Sequence, residues 1–430
     1  MGRVLGRRGF LKGALGAAVF PYVVPSSVFG ANAPSERIVM GLIGTGKRSK
    51  LLQRTFMGAG VQVVAGCDVD KLKLARAEKM AGDHYARQKA GGTWKGFKSY
   101  GDFRELLGRK DIDAVVISTP DHWHGLNTVY AAKAGKDVYC EKPLAHNITE
   151  GKAMVSAIRR YNRVFQTGSM QRSDHRFRFA CELVRNGYIG DIKHVVVNVG
   201  GPSVDCNLPA EPEPDYLDWN GWLGPAPMRP YNSELSPNIS WDGFPHWRRY
   251  KDYGGGGMTD WGAHHFDIAQ WGLGMDGDGP VEVIPPDGKD IKALTYKYAN
   301  GITMTRQGSY EGHGKVNGVL FVGAKGKVEV NRGYLKTWPA SLKDQKSGPN
   351  EIHLYESRNH YQDFLDAVKT RKKPICDVEV GFSTVNVCLI GNIAYELKRP
   401  LKWDPKRVRF ADDVEANRLC SRTMRSPWRI

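Results

Sequence analysis

At 430 residues and 47.9 kDa the chain is long enough for about two or three domains with cores of their own, which excludes a small disulfide-stapled scaffold. A composition of 41% hydrophobic and 25% charged residues, with 11 Trp and 50 Gly, is globular usage and excludes wholesale disorder. The 62 basic against 45 acidic residues give +17, yet beyond Arg3, Arg7, Arg8 and Lys12 the excess is scattered and no binding motif accompanies it, so nucleic acid is not read as a partner.

Residues 1–33 read as an address rather than fold. Arg7-Arg8-Gly9-Phe10-Leu11-Lys12 leads into the apolar stretch Ala14 to Val24, followed by Pro25 and small residues, with Ala31-Asn32-Ala33 as a cleavage candidate. The apolar stretch, about 11 residues, falls short of the roughly 20 that a spanning helix needs, so no stable membrane anchor is expected. The arginine pair followed by Phe-Leu-Lys resembles the twin-arginine (Tat) signal. That resemblance implies export of an already folded protein, the Tat translocase as a transient partner, and a periplasmic or otherwise exported location. The seven cysteines are odd in number and form no C-x-x-C pair, so they read as buried free thiols.

The fold that follows opens with the apolar run Ile38 to Ile43, the turn Gly44-Thr45-Gly46, and a helical segment around Lys50 to Met57. A second apolar run, Val61 to Cys67, ends in Asp68, 22 residues beyond Gly46. This is the pattern of a Rossmann βαβ unit: glycines let the backbone approach a pyrophosphate at the helix N-terminus, and the acid accepts from an adenosine ribose. Ser49 stands in the place of the third glycine. Asp68 points to NAD rather than NADP, because a carboxylate repels a 2′-phosphate, although Lys71 and Lys73 nearby work the other way. The alternation continues with Ala114 to Pro120, a helix through Asn127 to Ala134, and Val138 to Cys140 ending at Glu141-Lys142-Pro143. Gly44, Asp68, Thr119 and Glu141 all fall at carboxyl ends of strands, where such sheets bind ligands.

Farther along, Val195–Val199, Ala293–Tyr298, Thr303–Gln307, Val319–Val322 and Lys327–Val330 are strand-like. His360–Thr370 and Thr384–Leu397 have helical spacing and are expected to pack back on the first domain. Residues Pro202 to Pro245 form a long excursion rich in proline and tryptophan, and loops of that length are usually functional.

Several stretches together carry a family resemblance. Thr119-Pro120-Asp121-His122-Trp123-His124, Ala134-Gly135-Lys136-Asp137-Val138, Glu141-Lys142-Pro143, the run Gly255 to Asp267 and the run Leu320 to Gly326 resemble the glucose-fructose oxidoreductase and inositol dehydrogenase (Gfo/Idh/MocA) family over about residues 36–404. The resemblance implies an α/β protein: an N-terminal Rossmann NAD(P)-binding domain (36–158), then an α/β domain with a large open, mostly antiparallel sheet (159–404), then a tail (405–430). It also implies a homo-oligomer, a dimer or tetramer.

The chemistry implied by the resemblance centres on Lys142, Asp260 and His264. Lys142 would stabilise a developing alkoxide near the nicotinamide. His264 would take the hydroxyl proton, and Asp260, four residues before it on one helical face, would orient the imidazole. Cofactor contacts are expected from Gly44, Thr45, Gly46, Lys47, Arg48, Asp68, Thr119, Pro120, Asp121, His124, Glu141 and Gln171. Trp241, His246, Trp247, Arg248 and His265 are candidates to meet a sugar ring, whose C–H faces pack on aromatics while its hydroxyls bond outward. His122 and His124 could share one face of an extended segment and hold a metal, but the resemblance assigns His124 to the cofactor, and no metal is expected. The expectation is therefore an exported NAD-dependent oxidoreductase acting on a hydroxyl or keto carbon of a sugar, glycoside or cyclitol, with its cofactor retained. The alternatives are an NAD-dependent glycosidase or lyase working by transient oxidation and elimination, and a non-catalytic cofactor- or sugar-binding protein.

Overall fold

The computed structural model describes residues 37–94, 96–307 and 317–430, so the address read in residues 1–33 lies outside them. Six parallel strands form the first sheet: β1 (Val39–Ile43), β2 (Gln62–Cys67), β3 (Lys98–Tyr100), β4 (Ala114–Ile117), β5 (Asp137–Cys140) and β6 (Phe165–Thr167), in the order β3-β2-β1-β4-β5-β6. These strands are near-continuous apolar runs because helices cover both faces of the sheet. Their side chains alternate between two cores. Met40, Leu42, Val63, Ala114 and Val116 face one, while Ile43, Val64, Val115 and Ile117 face the other. β6 lies past the expected boundary at 158, so the chain completes the Rossmann sheet before it enters the second domain.

The second sheet joins β7 (Ile192–Asn198), β8 (Glu282–Ile284), β9 (Leu294–Lys297), β10 (Thr303–Gln307), β11 (Gly318–Gly323), β12 (Lys327–Asn331), β13 (Tyr334–Trp338), β14 (Leu401–Asp404) and β15 (Arg409–Phe410). Their order is β13-β12-β11-β7-β10-β9-β8-β14-β15, antiparallel throughout except where β7 runs parallel to β10. Helices Gly262–Leu273 and Val378–Leu397 pack on it around Phe266, Phe321 and Tyr296.

Helix Val378–Leu397 is apolar nearly all round because it is buried between the sheet and the Rossmann helix Ile148–Arg160. It begins six residues before the Thr384 expected from its pattern. Gly381, which interrupts the apolar spacing, is a close-packing site rather than a stop: a Cβ there would come within 2.2 Å of Thr167 Oγ1. Helix His360–Thr370 forms at its expected bounds and docks on the Rossmann domain, with Phe364 edge-on to Phe56 and Tyr139.

The tail expected at 405–430 is part of the fold. It supplies β15 and a helix at Val414–Arg418, then returns to the first domain, where Trp428 packs on Phe103 and Trp123. Six cysteines are buried, Cys206 is partly so, and all seven are free.

Several histidines are buried in ways that disfavour their charged form. Burial holds the His122 and His265 imidazoles down at about 3 and His360 at about 4, against an ordinary 6.5. Such groups leave stability intact above 6.5. It is lost as pH falls from there toward the folded values, because the unfolded chain binds the protons first. His265 stacks on Trp261 with neither ring nitrogen partnered, so by about pH 5 it alone costs about 2 kcal/mol. His265→Phe keeps the stack and removes the titration. Thermal melts should therefore place the variant above wild type at about pH 5 by more than at about pH 7.5; a pH-independent gap would show that His265 does not titrate on unfolding.

Candidate active site

A cleft of about 780 Å³ opens beyond the carboxyl ends of β1, β2, β4 and β5, with the second domain as its far wall. Its floor begins at Gly44, where φ is +82° and a Cβ would lie 2.9 Å from the backbone of Ser118 and Thr119. Gly46 caps helix Lys47–Gly58 without any side-chain bond to the first-turn amides, and a Cβ on it would stand in open space. Free amides at an unobstructed helix N-terminus, with no acid in the first turn, form an anion site of the kind that holds a pyrophosphate.

Thr45 is buried and braces the neighbouring acid instead of lining the cleft: its N–H and hydroxyl donate to Asp68 Oδ2 at 2.6 and 2.9 Å. Asp70 N–H donates to the other Asp68 oxygen at 3.0 Å. The Asp68 carboxylate is thus fixed at the end of β2, facing the cleft where a ribose would lie. Lys47 lines the cleft, but its ammonium is already engaged. Its Nζ pairs with Asp242 at 2.8 Å and lies over the Phe244 ring, which ties the glycine turn to the long excursion. Arg48 Nε donates to Glu141 at 2.7 Å, joining the same helix end to the end of β5. Thr119, Pro120 and Asp121 line the cleft, and burial pushes the Asp121 carboxyl well above its ordinary range. These residues fit a dinucleotide such as NAD.

Two expected cofactor contacts are structural. The His124 ring is buried between the carbonyls of Pro143 (2.8 Å) and Thr119 (3.0 Å), so it locks two strand ends together and does not reach the cleft. Gln171 is buried behind the wall; in the amide orientation that satisfies both neighbours, its NH2 donates to the His264 carbonyl at 2.8 Å and its oxygen accepts from Arg332 Nε at 3.2 Å. His122 is held among Trp222 and Tyr253, its Nε2 3.1 Å from the Trp222 carbonyl. Among the described residues no three His, Cys, Asp or Glu side chains gather as a metal site.

Lys142, Asp260 and His264 meet in the cleft, but not in the expected pairing. Asp260 ends the short helix Gly257–Asp260, and the chain turns at Trp261 before helix Gly262–Leu273 begins, so Asp260 and His264 do not share one continuous turn. The Asp260 carboxylate and carbonyl instead both accept from Lys142 Nζ, at 2.6 and 2.9 Å. Burial opposes its charge, but Lys142 and then Arg248 (Nε at 3.6 Å) hold the Asp260 carboxyl below its ordinary range. His264 is buried with Nδ1 unpartnered. Burial, then Lys142 and Arg332, keep its imidazole well below its ordinary value, so it is neutral.

On the outer wall Trp241, Trp247 and Arg248 line the cleft, with the Arg248 guanidinium 4.2 Å from the Trp247 ring centre and 5.2 Å from that of Phe244. The other two expected substrate residues do not. His246 turns to Glu234, its Nδ1 3.2 Å from the carboxylate, and His265 lies behind Trp261. Arg332, which no sequence motif marks, stands in the tight turn between β12 and β13 with its guanidinium 4.8 Å over the Trp261 ring. Arg425 to Trp428, likewise unmarked, line the end of the cleft beyond Asp68. Neither set carries a local motif; only the pairing of distant segments brings them to the site.

Residues 38–169 match the profile of the oxidoreductase family's NAD-binding Rossmann fold, and residues 201–430 match that of its C-terminal alpha/beta domain. The chain belongs to the Gfo/Idh/MocA oxidoreductase family. It is similar to the myo-inositol 2-dehydrogenase of Thermotoga maritima, with 24% identity over 328 residues, 71% of this chain and 84% of that protein. A glycosyl hydrolase family 109 protein of Shewanella sp. (strain ANA-3) is 40% identical over 132 residues, 30% of this chain and 28% of that protein. The aldose-aldose oxidoreductase of Caulobacter crescentus, solved with glycerol, shares the fold at a TM-score of 0.58 and 20% identity, over 85% of this chain and 99% of that one. As a member of the Gfo/Idh/MocA family, the chain is an oxidoreductase whose Rossmann domain binds NAD.

Trp428 stacks near Phe103, with Arg104 5.3 Å from its ring centre, at the end of the cleft where Asp68 marks the ribose. That end is where the adenine belongs, and one aromatic wall of this kind contributes about 1–3 kcal/mol of stacking. Trp428→Ala should weaken NAD binding by roughly tenfold or more while leaving the affinity for nicotinamide mononucleotide, which lacks the adenosine, unchanged. Isothermal titration with both ligands checks this, and equal losses for the two would contradict it.

Proposed function

We propose that this protein is an exported, NAD-dependent oxidoreductase that oxidises or reduces a hydroxyl or keto carbon of a sugar, glycoside or cyclitol and keeps its cofactor through turnover. The observation that carries the reading is the Lys142 ammonium, presented to the cleft and fixed at two points on Asp260 beside a neutral imidazole. A site that only bound sugars or nucleotides would need no cation and base aligned on one oxygen.

NAD, when bound, supplies the hydride chemistry. Lys142 holds the substrate oxygen and stabilises negative charge as it develops there; Asp260 keeps the ammonium aimed. His264 takes the hydroxyl proton in the oxidative direction and returns it in the reductive one. Burial, then Lys142, Arg332 and Arg48, disfavour its charged form, which makes it a weaker base than an ordinary imidazole and favours passing the proton on.

Retention is supported by the excursion, which folds across the cleft as a strap through the Lys47–Asp242 pair and the bond from Lys73 Nζ to Ser236 Oγ at 3.3 Å. Export is supported by Arg7-Arg8 with Phe10-Leu11-Lys12. An exported enzyme that released NADH would stop after one cycle for lack of a free pool, so a second substrate must accept the hydride before the next turnover. The relatives are consistent with this: one is a myo-inositol dehydrogenase, and one structural neighbour is an aldose-aldose oxidoreductase. The glycosyl hydrolase match favours a redox-neutral variant of the same chemistry, but it spans only 28% of that protein.

Protein from the periplasmic fraction should carry near-stoichiometric NAD after desalting. Lys142→Met should keep that NAD and lose at least about a hundredfold in the rate of cofactor reduction by sugar, as expected when one oxyanion-type donor is removed. Near wild-type reduction by the variant overturns the role of Lys142. Empty protein whose rate saturates with added NAD overturns retention.

A further inference from the structure

Four cations line the part of the cleft that faces the second domain: Arg48, Lys142, Arg248 and Arg332. Among the described residues only two carboxylates answer them closely. Glu141 is taken by Arg48 at 2.7 Å, and Asp260 by Lys142 at 2.6 Å with Arg248 Nε at 3.6 Å. Asp121 is a third acid in this region, but it is buried and favours its neutral form. Among the described residues no carboxylate pairs with Arg332.

Arg332 is nevertheless held in place. Its Nε donates to the buried Gln171 amide oxygen, which in turn is bound to the His264 backbone, and its plane lies over Trp261. Among the described residues the two terminal amino groups meet no acceptor, and Arg332 lines the cleft at a place fixed relative to His264. Arg248 lies over the Trp247 and Phe244 rings and is partly engaged, its Nη1 donating to the Pro245 carbonyl at 3.1 Å and its Nε 3.6 Å from Asp260. A fork like that of Arg332, immobilised by stacking and presented with parallel donors, recognises a planar anion bidentately, and Arg248 adds positive charge beside it. The cofactor's own phosphates have a separate seat at the free amides behind Gly44 and Gly46, on the Rossmann side, whereas Arg332 belongs to the β12–β13 turn of the second sheet.

We propose that the substrate is a sugar acid, a uronate or a related carboxylated sugar, whose carboxylate is read by Arg332 with Arg248 opposite while the reacting hydroxyl lies at Lys142. The proposal rests on the oxidoreductase reading for the place of the hydroxyl, but the recognition of the carboxylate is independent of turnover. The aromatic walls hold the ring, and the guanidinium fork sets which end of it points away from Lys142. A neutral polyol would leave that fork facing only water.

The test is equilibrium binding to the NAD-loaded protein by calorimetry, with two matched pairs: D-glucuronate against D-glucose, and D-galacturonate against D-galactose. At least one uronate should bind roughly tenfold or more tighter than its neutral partner, as expected for charge-assisted bonds. Arg332→Gln should abolish the difference, and Arg332→Lys should restore only part of it, because a point charge lacks the fork. The NAD content of each variant, which depends on Gly44, Gly46 and Asp68, reports that it is folded. Equal affinities within both pairs, or a uronate preference that survives Arg332→Gln, overturn the proposal. Reduction of bound NAD by neutral sugars, together with equal affinities, would overturn only the sugar-acid assignment. Uronate preference without any hydride transfer would uphold it and overturn the dehydrogenase reading instead.

Discussion

The ion pair between Lys142 and Asp260 joins the two domains at the point where chemistry takes place. Lys142 sits just past β5 of the Rossmann sheet, and Asp260 ends a short helix of the second domain. A partly buried pair of this kind is not by itself a source of stability, because removing both charges from water offsets much of their attraction. What it does is fix an ammonium at a stated place. Neighbouring groups depend on that placement. Arg48 and Glu141 anchor the same strand end to the helix that caps the anion site, and Gln171 carries the alignment from His264 to Arg332.

The cleft is closed by segments remote in sequence. The excursion crosses it from the side of the glycine turn, through Lys47 to Asp242, and the C-terminal segment closes the adenosine end with Trp428. Arg425 fixes the latter by donating to the Gly224 carbonyl at 3.0 Å and to the Asn220 carbonyl at 2.9 Å. Both closures engage the excursion 202–245, so its length and its tryptophans have a common purpose: Trp219 and Trp222 stack at 4.7 Å to form a core beneath it, while Trp241 remains on the cleft side.

Much of this was readable from the sequence because strand ends in a Rossmann sheet announce themselves. Gly44, Asp68, Thr119 and Glu141 follow apolar runs whose burial on both faces fixes where each strand stops, and the structure brings all four to the cleft. The pairing of Asp260 was not readable. Four-residue spacing implies a shared helical face only if the helix is continuous, and the break at Trp261 releases the carboxylate to Lys142. His124 and His265 sit in motif-like stretches, yet their rings are consumed by backbone carbonyls and by stacking, which no spacing reveals. Arg332 and Trp428 carry no local signal at all, since their roles arise from the hairpin and tail meeting residues far away in the chain.

A double-mutant cycle on Lys142 and Asp260 tests most directly whether the pair acts as one device. Single-turnover reduction of bound NAD by sugar would be followed in wild type, Lys142→Met, Asp260→Asn and the double variant. If Asp260 serves by aiming Lys142, Asp260→Asn should slow the wild type strongly but have little further effect once Lys142 is gone. Losses that simply add, with Asp260→Asn as damaging in the Lys142→Met background as alone, would mean that the two residues act separately and would contradict the account.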